Sequence, residues 1–169
     1  MAFISKDDSN KSGNAGTNVI IIGFGNKYRS DDGIGIRVIE ELGKLNLLRD
    51  KNIEVIDGGT SGTDLIFLIK DCSKIVIVDA IDAGQKTGDV VSIKVNDIEE
   101  FIKKDYRSLS LHDLNLVDIF KLAKALKMIA DISIIGVKPK NIGFGDKLSP
   151  EIEKKIPGII SLIRKEIGI

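Results

Sequence analysis

Short runs of β-branched residues alternate along the chain with longer segments whose apolar residues recur at helical spacing. Val19–Ile22 and Ile75–Val78 have no helical period, which predicts strands covered on both faces. Four such strands are predicted, at Asn18–Gly23, Ile53–Ile56, Lys74–Val78 and Ile132–Val137. Helices are predicted at Asp32–Leu48, Thr63–Lys70, Val95–Lys103, Leu114–Met128 and, after Ser149 as N-cap, Pro150–Ile167.

A further strand has a different pattern. Val90–Val95 alternates between apolar and polar residues and follows a turn at Gly84–Gly88, which predicts an antiparallel or edge strand. Alternating strands and helices predict an α/β fold, a single-domain three-layer sandwich in which a mostly parallel, twisted sheet of about five strands has helices on both faces. Residues 1–16 are rich in Ser, Asn, Gly and Lys, so we expect a flexible tail before one domain at 17–169.

Composition excludes several function classes. The 169 residues include 25 Lys and Arg against 25 Asp and Glu, so no net charge attracts the chain to nucleic acid or to an anionic membrane. No apolar stretch approaches the roughly 20 residues that span a bilayer. Cys72 and His112 are the only residues of their types, which excludes a cysteine cluster and a two-histidine zinc site. A single cysteine fits the reducing cytoplasm, where we expect the protein to act as a monomer.

Polar residues follow the predicted strands at the point where each strand ends. In folds of this class, ligands bind outside the carboxyl ends of the strands. An Asp before a helix is commonly a cap, but Asp31 and Asp32 cannot both fill that position. The joint occurrence of carboxylates at strand ends therefore predicts a functional site. The candidates are Asn26, Asp31, Asp32, Asp57, Thr60, Asp79 and Asp82, with His112 in a loop that leads into a helix.

Two kinds of nucleotide site are not supported, and one signalling fold remains an alternative. Tyr28 stands where the third glycine of a dinucleotide-binding loop belongs, and the phosphate-loop pattern is absent. A phospho-acceptor receiver domain has an acidic pair, an acceptor Asp and a Lys-Pro after successive strands. Asp31-Asp32 as magnesium ligands, Asp79 as acceptor and Lys138 match in order. The loop before the acidic pair and the absence of a role for His112 count against this alternative.

A series of motifs in fixed order extends from Gly25 to Pro150. They are Gly25-Asn26-x-x-x-x-Asp31-Asp32-Gly33-x-Gly35, Asp57-Gly58-Gly59-Thr60, Val78-Asp79-Ala80-x-Asp82-x-Gly84, Ser110-x-His112, Gly136-x-x-Pro139 and Gly145-x-x-Leu148-Ser149-Pro150. In order and spacing the series resembles the nickel–iron hydrogenase maturation endopeptidases. The resemblance implies an α/β fold and an enzyme that removes the C-terminal extension of the hydrogenase large-subunit precursor after nickel insertion.

The resemblance also implies residue roles. The family's three nickel-contacting positions correspond to Asp32, Asp79 and His112, which are the expected catalytic and metal-binding residues of a metal-directed, aspartic-type endopeptidase. Two carboxylates and one imidazole leave coordination positions open, so we hypothesise that the nickel arrives with the substrate. The remaining candidates, expected to touch substrate or to support these three, are Asn26, Asp31, Asp57, Thr60 and Asp82.

The mechanism stays open between two routes. The nickel polarises the scissile carbonyl or activates a water, or one carboxylate acts as general base. A nucleophilic route is not expected, because Cys72 lies away from the strand ends and no serine occupies a nucleophile elbow. His112 binds metal only when neutral, so processing is expected to fall well below about pH 6.5. The function itself has one further alternative beside the endopeptidase and the receiver domain. It is a chaperone that binds the large subunit and keeps the nickel contacts without cleaving.

Overall fold

The strands and helices lie close to their predicted positions. The computed structural model describes residues 18–45, 52–60, 64–70, 72–95, 116–127 and 130–169. The strands are β1 (Val19–Phe24), β2 (Ile53–Gly59), β3 (Lys74–Ala80), β4 (Val90–Lys94) and β5 (Asp131–Val137). The helices are α1 (Ile34–Lys44), α2 (Leu65–Lys70), α3 (Leu116–Ala125), α4 (Pro150–Glu153) and α5 (Ile156–Ile167), with a 3-10 helix at Ser30–Gly33 before α1.

The strands form one five-stranded sheet in the order β2-β1-β3-β5-β4. The first four in this order are parallel, whereas β4 pairs antiparallel with β5 at the edge. The mostly parallel sheet of about five strands is thus confirmed, as is the antiparallel edge strand that the alternating pattern of Val90–Val95 predicted.

Two apolar cores lie on opposite faces of the sheet, because neighbouring strand residues point in opposite directions. Ile21 of β1 and Val76 of β3 pack with α1 and α5, whereas Ile20 of β1 and Ile75 of β3 pack with α2 and α3. The central strands are covered on both faces, which explains their unbroken apolar runs. The predicted three-layer sandwich is confirmed.

Two strands are longer than the sequence predicted. The predicted strands stop at Ile56 and Val78, before the first carboxylate of each segment, but β2 continues to Gly59 and β3 to Ala80. In β3 the ladder to β5 persists, with Asp79 opposite Gly136. Asp79 is therefore a strand residue that pairs with β5 on one side, one position beyond the last pair between β3 and β1. A rule that ends a predicted strand before its first charged residue therefore ends β3 too early.

The predicted helix boundaries need two corrections. At the first, the acidic pair lies in the 3-10 helix, and α1 begins at Ile34 and ends at Lys44, where Leu45 turns to extended backbone (φ −85°, ψ 119°). At the second, Pro150–Ile167 is two helices. Pro157 has no backbone N–H to continue a helix from the preceding turn, and it lies instead in the first turn of α5, where none is needed.

Some predictions fall on other parts of the chain. The tail at 1–16, the helix predicted at Val95–Lys103 beyond its first residue, and His112 lie outside the described residues, so they stay predictions, as does the domain boundary at residue 17. Among the helices that the structure describes, none has the length and apolar character needed to cross a membrane.

Candidate active site

The segments that follow β1, β3 and β5 meet at the carboxyl edge of the sheet. The Ser30 N–H donates to the Gly145 carbonyl (2.9 Å), which joins the segment after β1 to the segment after β5. The Ile81 N–H donates to the Val137 carbonyl (2.9 Å), which joins the ends of β3 and β5. The strand ends thus form one continuous rim, the place where α/β folds bind their ligands.

Two buried carboxylates lie on neighbouring elements of this rim. Asp32 belongs to the 3-10 helix after β1 and is 2% exposed, and Asp79 belongs to the end of β3 and is fully buried. The 3-10 helix packs against β3. Burying a carboxylate costs free energy unless hydrogen bonds or a partner charge compensate for the lost hydration. Residues whose burial lowers the stability of the fold are expected mainly at functional sites.

Two glycines allow this close approach. Gly25 has φ +145°, which favours glycine, and a Cβ at this position would lie 2.1 Å from the Asp32 carbonyl oxygen. A Cβ on Gly35 would lie 2.4 Å from the carbonyl oxygen of Val78, the residue before Asp79. The start of α1 therefore rests directly on the strand ends, and any larger residue would push the Asp32 segment away from Asp79.

Asp79 is fixed by its own strand. Its Oδ1 accepts a hydrogen bond from the Ala80 N–H at 2.8 Å. Alternation along β3 places Asp79 on the same side as Ile75 and Ile77, which pack under α2 and α3. Asp32 comes from the opposite layer, since it leads into α1. The two carboxylates thus reach the rim from different sides of the sheet.

Asp31, the other member of the acidic pair, binds the segment after β5. Its carboxylate accepts hydrogen bonds from the backbone N–H groups of Lys140 (2.9 Å), Asn141 (2.8 Å) and Ser149 (2.6 Å), and from the Ser149 hydroxyl (2.8 Å). Ser149 precedes α4 as predicted, but its hydroxyl donates to Asp31 and does not cap the helix. Adjacent Asp residues therefore have different surroundings, with Asp31 joined to this loop and Asp32 next to β3.

Three other predicted site residues shape the turns of the rim. Each is an Asn or Asp whose side chain accepts a hydrogen bond from the backbone N–H two residues later, a contact that stabilises tight turns. The bonds are Tyr28 N–H to Asn26 Oδ1 (3.0 Å), Gly59 N–H to Asp57 Oδ1 (2.9 Å) and Gly84 N–H to Asp82 Oδ1 (3.0 Å). Asp57, Thr60 and Asp82 are exposed, so these residues line the mouth of the rim.

Asp82 also carries an ion pair across the rim. Lys138 Nζ lies 3.0 Å from Asp82 Oδ1, which links the segment after β3 to the segment after β5. The Gly84 N–H and then the Lys138 ammonium hold the pKa of the Asp82 carboxyl below its ordinary value of 3.8. Both contacts stabilise the charged form, so Asp82 is an anion throughout the neutral range.

The structure places Asp32 and Asp79 of the predicted metal-binding trio on two elements that pack against each other, whereas His112 lies outside the described residues. Within the described ranges, no three His, Cys, Asp or Glu side chains are grouped closely enough to hold a metal ion. Sequence reasoning missed Ser30, which is buried with φ +50° and whose hydroxyl donates to the Gly143 carbonyl at 3.1 Å. No local sequence signal marks that contact, because its partner is 113 residues away.

Comparison with known families decides what kind of protein has this rim. The family model described as hydrogenase maturation protease (HycI) matches residues 36–166, which is most of the chain. The chain belongs to the hydrogenase maturation protease family. The resemblance that the motifs indicated is thus confirmed.

Individual relatives agree with this assignment. The chain is 33% identical over 156 residues to a maturation protease homologue of Methanocaldococcus jannaschii, an alignment covering 88% of this chain and 96% of that protein. It is 28% identical over 149 residues to the hydrogenase expression/formation protein HupD of Thiocapsa roseopersicina. That alignment covers 85% of this chain but only 65% of HupD, so the chain spans less than two thirds of this relative.

Solved structures of maturation proteases have the same fold. The maturating endopeptidase HybD of Escherichia coli superposes with a TM-score of 0.77 at 24% identity, covering 90% of this chain and 94% of that one. HybD of Thermococcus kodakarensis gives a TM-score of 0.68 at 29% identity, covering 88% and 98%. The open five-stranded α/β architecture is therefore that of the maturation protease fold.

The strand order of this chain also counts against the receiver-like alternative. A doubly wound receiver sheet is parallel with strand order 2-1-3-4-5, whereas here β5 lies next to β3 and β4 is an antiparallel edge strand. Lys138, the residue that would contact a phosphorylated Asp79, forms an ion pair with Asp82.

Proposed function

We propose that the protein is an endopeptidase that removes the C-terminal extension of a nickel–iron hydrogenase large-subunit precursor after nickel insertion. The observation that carries the proposal is the pair of buried carboxylates, Asp32 and Asp79, at the rim of a hydrogenase maturation protease fold. The nickel belongs to the precursor, and the enzyme contacts it through Asp32, Asp79 and His112. The protein acts as a monomer in the cytoplasm.

The course of the chain supports His112 as the third contact. Residues 126–130 join the end of α3 to the start of β5, so α3 ends toward the amino edge of the sheet. A helix of ten residues is about 15 Å long, and its first turn at Leu116 accordingly lies toward the carboxyl edge. His112 precedes that turn by four positions in the sequence. Asp79 occupies the α2–α3 side of the sheet.

The chemistry of the donor set supports nickel brought by the substrate. Two carboxylates and an imidazole suit first-row divalent ions but leave coordination positions open. A site of this kind binds firmly only when another protein supplies the remaining ligands. Cleavage then depends on nickel insertion, because a precursor without nickel lacks the group that the rim contacts.

Hydrolysis of the peptide bond requires an activated water and a proton for the leaving nitrogen. The oxygen of water adds to the scissile carbonyl carbon, the C–N bond breaks, and the leaving amine takes up a proton. Nickel acting as a Lewis acid polarises the carbonyl or activates the water. In the second route, Asp32 or Asp79 takes the proton from water and delivers it to the amine. Cys72 takes no part, since it is buried before β3, at the opposite edge of the sheet.

The test is to incubate the purified protein with purified precursor, with and without inserted nickel, and to measure the precursor's mass. We expect shortening at the C-terminus only with nickel. Shortening that is independent of nickel would contradict recognition of the metal. Binding of the nickel-loaded precursor without any change in its mass would support the non-cleaving chaperone instead.

Matched variants test the carboxylates. Asp32→Asn and Asp79→Asn keep the side-chain shape and remove the charge, so we expect processing to fall at least about 100-fold. Asp131→Asn makes the same chemical change at the opposite edge, on a half-exposed side chain, and is expected to leave processing unchanged. If processing by the Asp32→Asn enzyme equals that of the Asp131→Asn control, Asp32 does not contact the nickel.

The role of His112 has its own test. The imidazole must be neutral to bind metal, so processing of the nickel-loaded precursor is expected to decline below about pH 6.5. The initial rate is measured across the range in which folding, followed by circular dichroism, is constant. A flat rate down to about pH 5 would count against His112 as a ligand.

A further inference from the structure

Three exposed apolar side chains are grouped on the two loops that meet beside the buried carboxylates. Tyr28 is 68% exposed, Ile142 is 38% exposed and Phe144 is 97% exposed. Single exposed apolar residues are ordinary, but a group of them commonly marks a site of protein interaction. We call Tyr28, Ile142 and Phe144 the apolar tip.

The backbone beneath the apolar tip is held in place. Gly145 N–H donates to the Tyr28 carbonyl at 3.0 Å, and Ser30 N–H donates to the Gly145 carbonyl at 2.9 Å. Arg29 Nε donates to the Ile142 carbonyl at 3.2 Å. Arg29 and Gly145 also form a parallel bridge, so Tyr28 and Phe144 precede paired residues on adjacent segments. The two loops therefore act as one unit.

Asp31 anchors this unit to the start of α1. Its buried carboxylate accepts hydrogen bonds from the backbone N–H groups of Lys140, Asn141 and Ser149. These three residues flank the Ile142–Phe144 segment on both sides. A loop that served only as a connection would not need such fixing. Fixing an exposed apolar group before binding reduces the entropy lost when a partner orders it. The hydrogen bonds on both sides of Phe144 thus fix the backbone that carries this exposed side chain.

We propose that the apolar tip is the docking element that inserts into the folded body of the precursor protein, outside the segment that is cut. The inference rests on the proposed function. Aromatic side chains that fill a pocket on the partner dominate the energy of protein interfaces. The tip is continuous with the rim, because Tyr28 lies four residues before Asp32 on the same short segment. A protein bound to the tip therefore has its surface next to the two carboxylates.

Charge and shape favour a protein over a small ligand. The charged side chains of the segments 27–29 and 142–147 are Lys27, Arg29, Lys147 and Asp146, three basic and one acidic. Lys27 forms an ion pair with Glu40 (3.6 Å), so Arg29 and Lys147 supply the basic excess. A basic border around an apolar centre is complementary to an acidic border around an apolar pocket. Phe144 is almost wholly exposed and so projects from the surface, which suits insertion into a partner.

The experiment compares Phe144→Ala with Phe67→Ala. Phe67 is 71% exposed and borders a cavity of about 400 Å³ formed at the amino ends of β1 and β2, the edge away from the rim. Affinity for immobilised nickel-loaded precursor is measured by biolayer interferometry, and kcat and KM are measured for processing. We expect Phe144→Ala to raise Kd and KM about tenfold and to leave kcat within about twofold. The Phe67→Ala control is expected to behave as the wild type.

The outcomes separate this inference from the proposed function. If the wild type does not shorten the precursor, the proposed function fails, and the affinity measurement still tests the tip. If the wild type cuts the precursor and Phe144→Ala matches it in Kd and KM, the docking role is wrong. A Phe144→Ala variant that only dissociates a dimer of the protein, seen by analytical ultracentrifugation, would also overturn it. Tyr28→Ala provides a second variant, and we expect it to weaken binding in the same direction.

Discussion

The Asp31 carboxylate accepts two hydrogen bonds from Ser149, one from the backbone N–H at 2.6 Å and one from the hydroxyl at 2.8 Å. The two residues are 118 positions apart in the sequence. Their contact fixes the segment after β5 against the 3-10 helix that carries Asp32. A buried acid thus serves as the junction between the loops of the rim.

Removal of this junction should destabilise the protein. Asp31→Ala leaves four buried or half-buried donors without their acceptor, and hydrogen bonds to a charged group contribute about 1.5–3 kcal/mol each before relaxation. We expect the free energy of unfolding in urea to fall by about 3–5 kcal/mol.

A milder variant keeps that prediction testable if Asp31→Ala does not fold. Ser149→Ala removes only the hydroxyl donor, and we expect a loss of about 1–2 kcal/mol. Asp131→Ala removes a half-exposed carboxylate, and we expect a change below about 1 kcal/mol. Equal unfolding free energies for Asp31→Ala and Asp131→Ala would show that the Asp31 contacts contribute nothing to stability.

Two glycines of α1 should respond in opposite ways to the same substitution. A Cβ on Gly35 would lie 2.2 Å from the Phe24 carbonyl oxygen and 2.4 Å from that of Val78, and backbone atoms cannot easily move aside. We expect Gly35→Ala to cost about 2 kcal/mol or more. A Cβ on Gly43 would meet no atom of the described residues within 4 Å, so Gly43→Ala should stabilise the helix by about 0.5–1 kcal/mol.

Thermal and urea unfolding of both glycine variants provides the measurement. The Gly35→Ala variant should also process precursor more slowly, because the displaced helix start carries Asp32 with it. Stabilisation by both substitutions would mean that α1 does not rest on the strand ends as described.

The carboxyl group of Asp82 should titrate below its ordinary pKa of 3.8, because the Gly84 N–H and the Lys138 ammonium favour its charged form. A pKa lowered by folding stabilises the protein above the unfolded-state value, and this contribution is lost as pH falls through the folded-state value. Carboxyl-carbon NMR shifts followed against pH measure it directly.

The Lys138→Met variant separates the two causes. We expect it to raise the pKa of Asp82 only part of the way to 3.8, because the larger effect, the Gly84 N–H, remains. Lys147→Met, which changes another exposed lysine of the segment after β5, should leave the titration of Asp82 unaltered. An Asp82 that already titrates at its ordinary value in the wild type would contradict the ion pair.

The sheet could be predicted from the sequence because strands that are buried on both faces have uninterrupted runs of apolar residues. Val19–Ile22 and Ile75–Val78 are apolar without interruption since helices cover both sides of β1 and β3. Val90–Val95 alternates because β4 lies at the edge. The ends of elements were less predictable. Asp79 prolongs β3 against the ordinary preference for apolar strand residues. The break before Pro157 follows from the proline itself, a signal that the periodic apolar pattern of Pro150–Ile167 concealed.

The site was predictable in its residue types but not in its internal contacts. The position of carboxylates after strands indicated which ones would gather at the rim, and the motif series indicated the family. Which Asp of the adjacent pair binds the loop and which lies beside β3 was not predictable from sequence. That difference depends on Lys140, Asn141 and Ser149, whose distance along the chain leaves no local pattern.

The strand order has a consequence for partial unfolding. β3, which carries Asp79, is the central strand, and β1, which leads to Asp32, lies next to it. β2 and β4 are the outermost strands of the sheet. Fraying that begins at an outer strand meets the interior pairing before it reaches the two acids. Loss of the proposed activity on heating should therefore coincide with the loss of the whole sheet, as followed by circular dichroism.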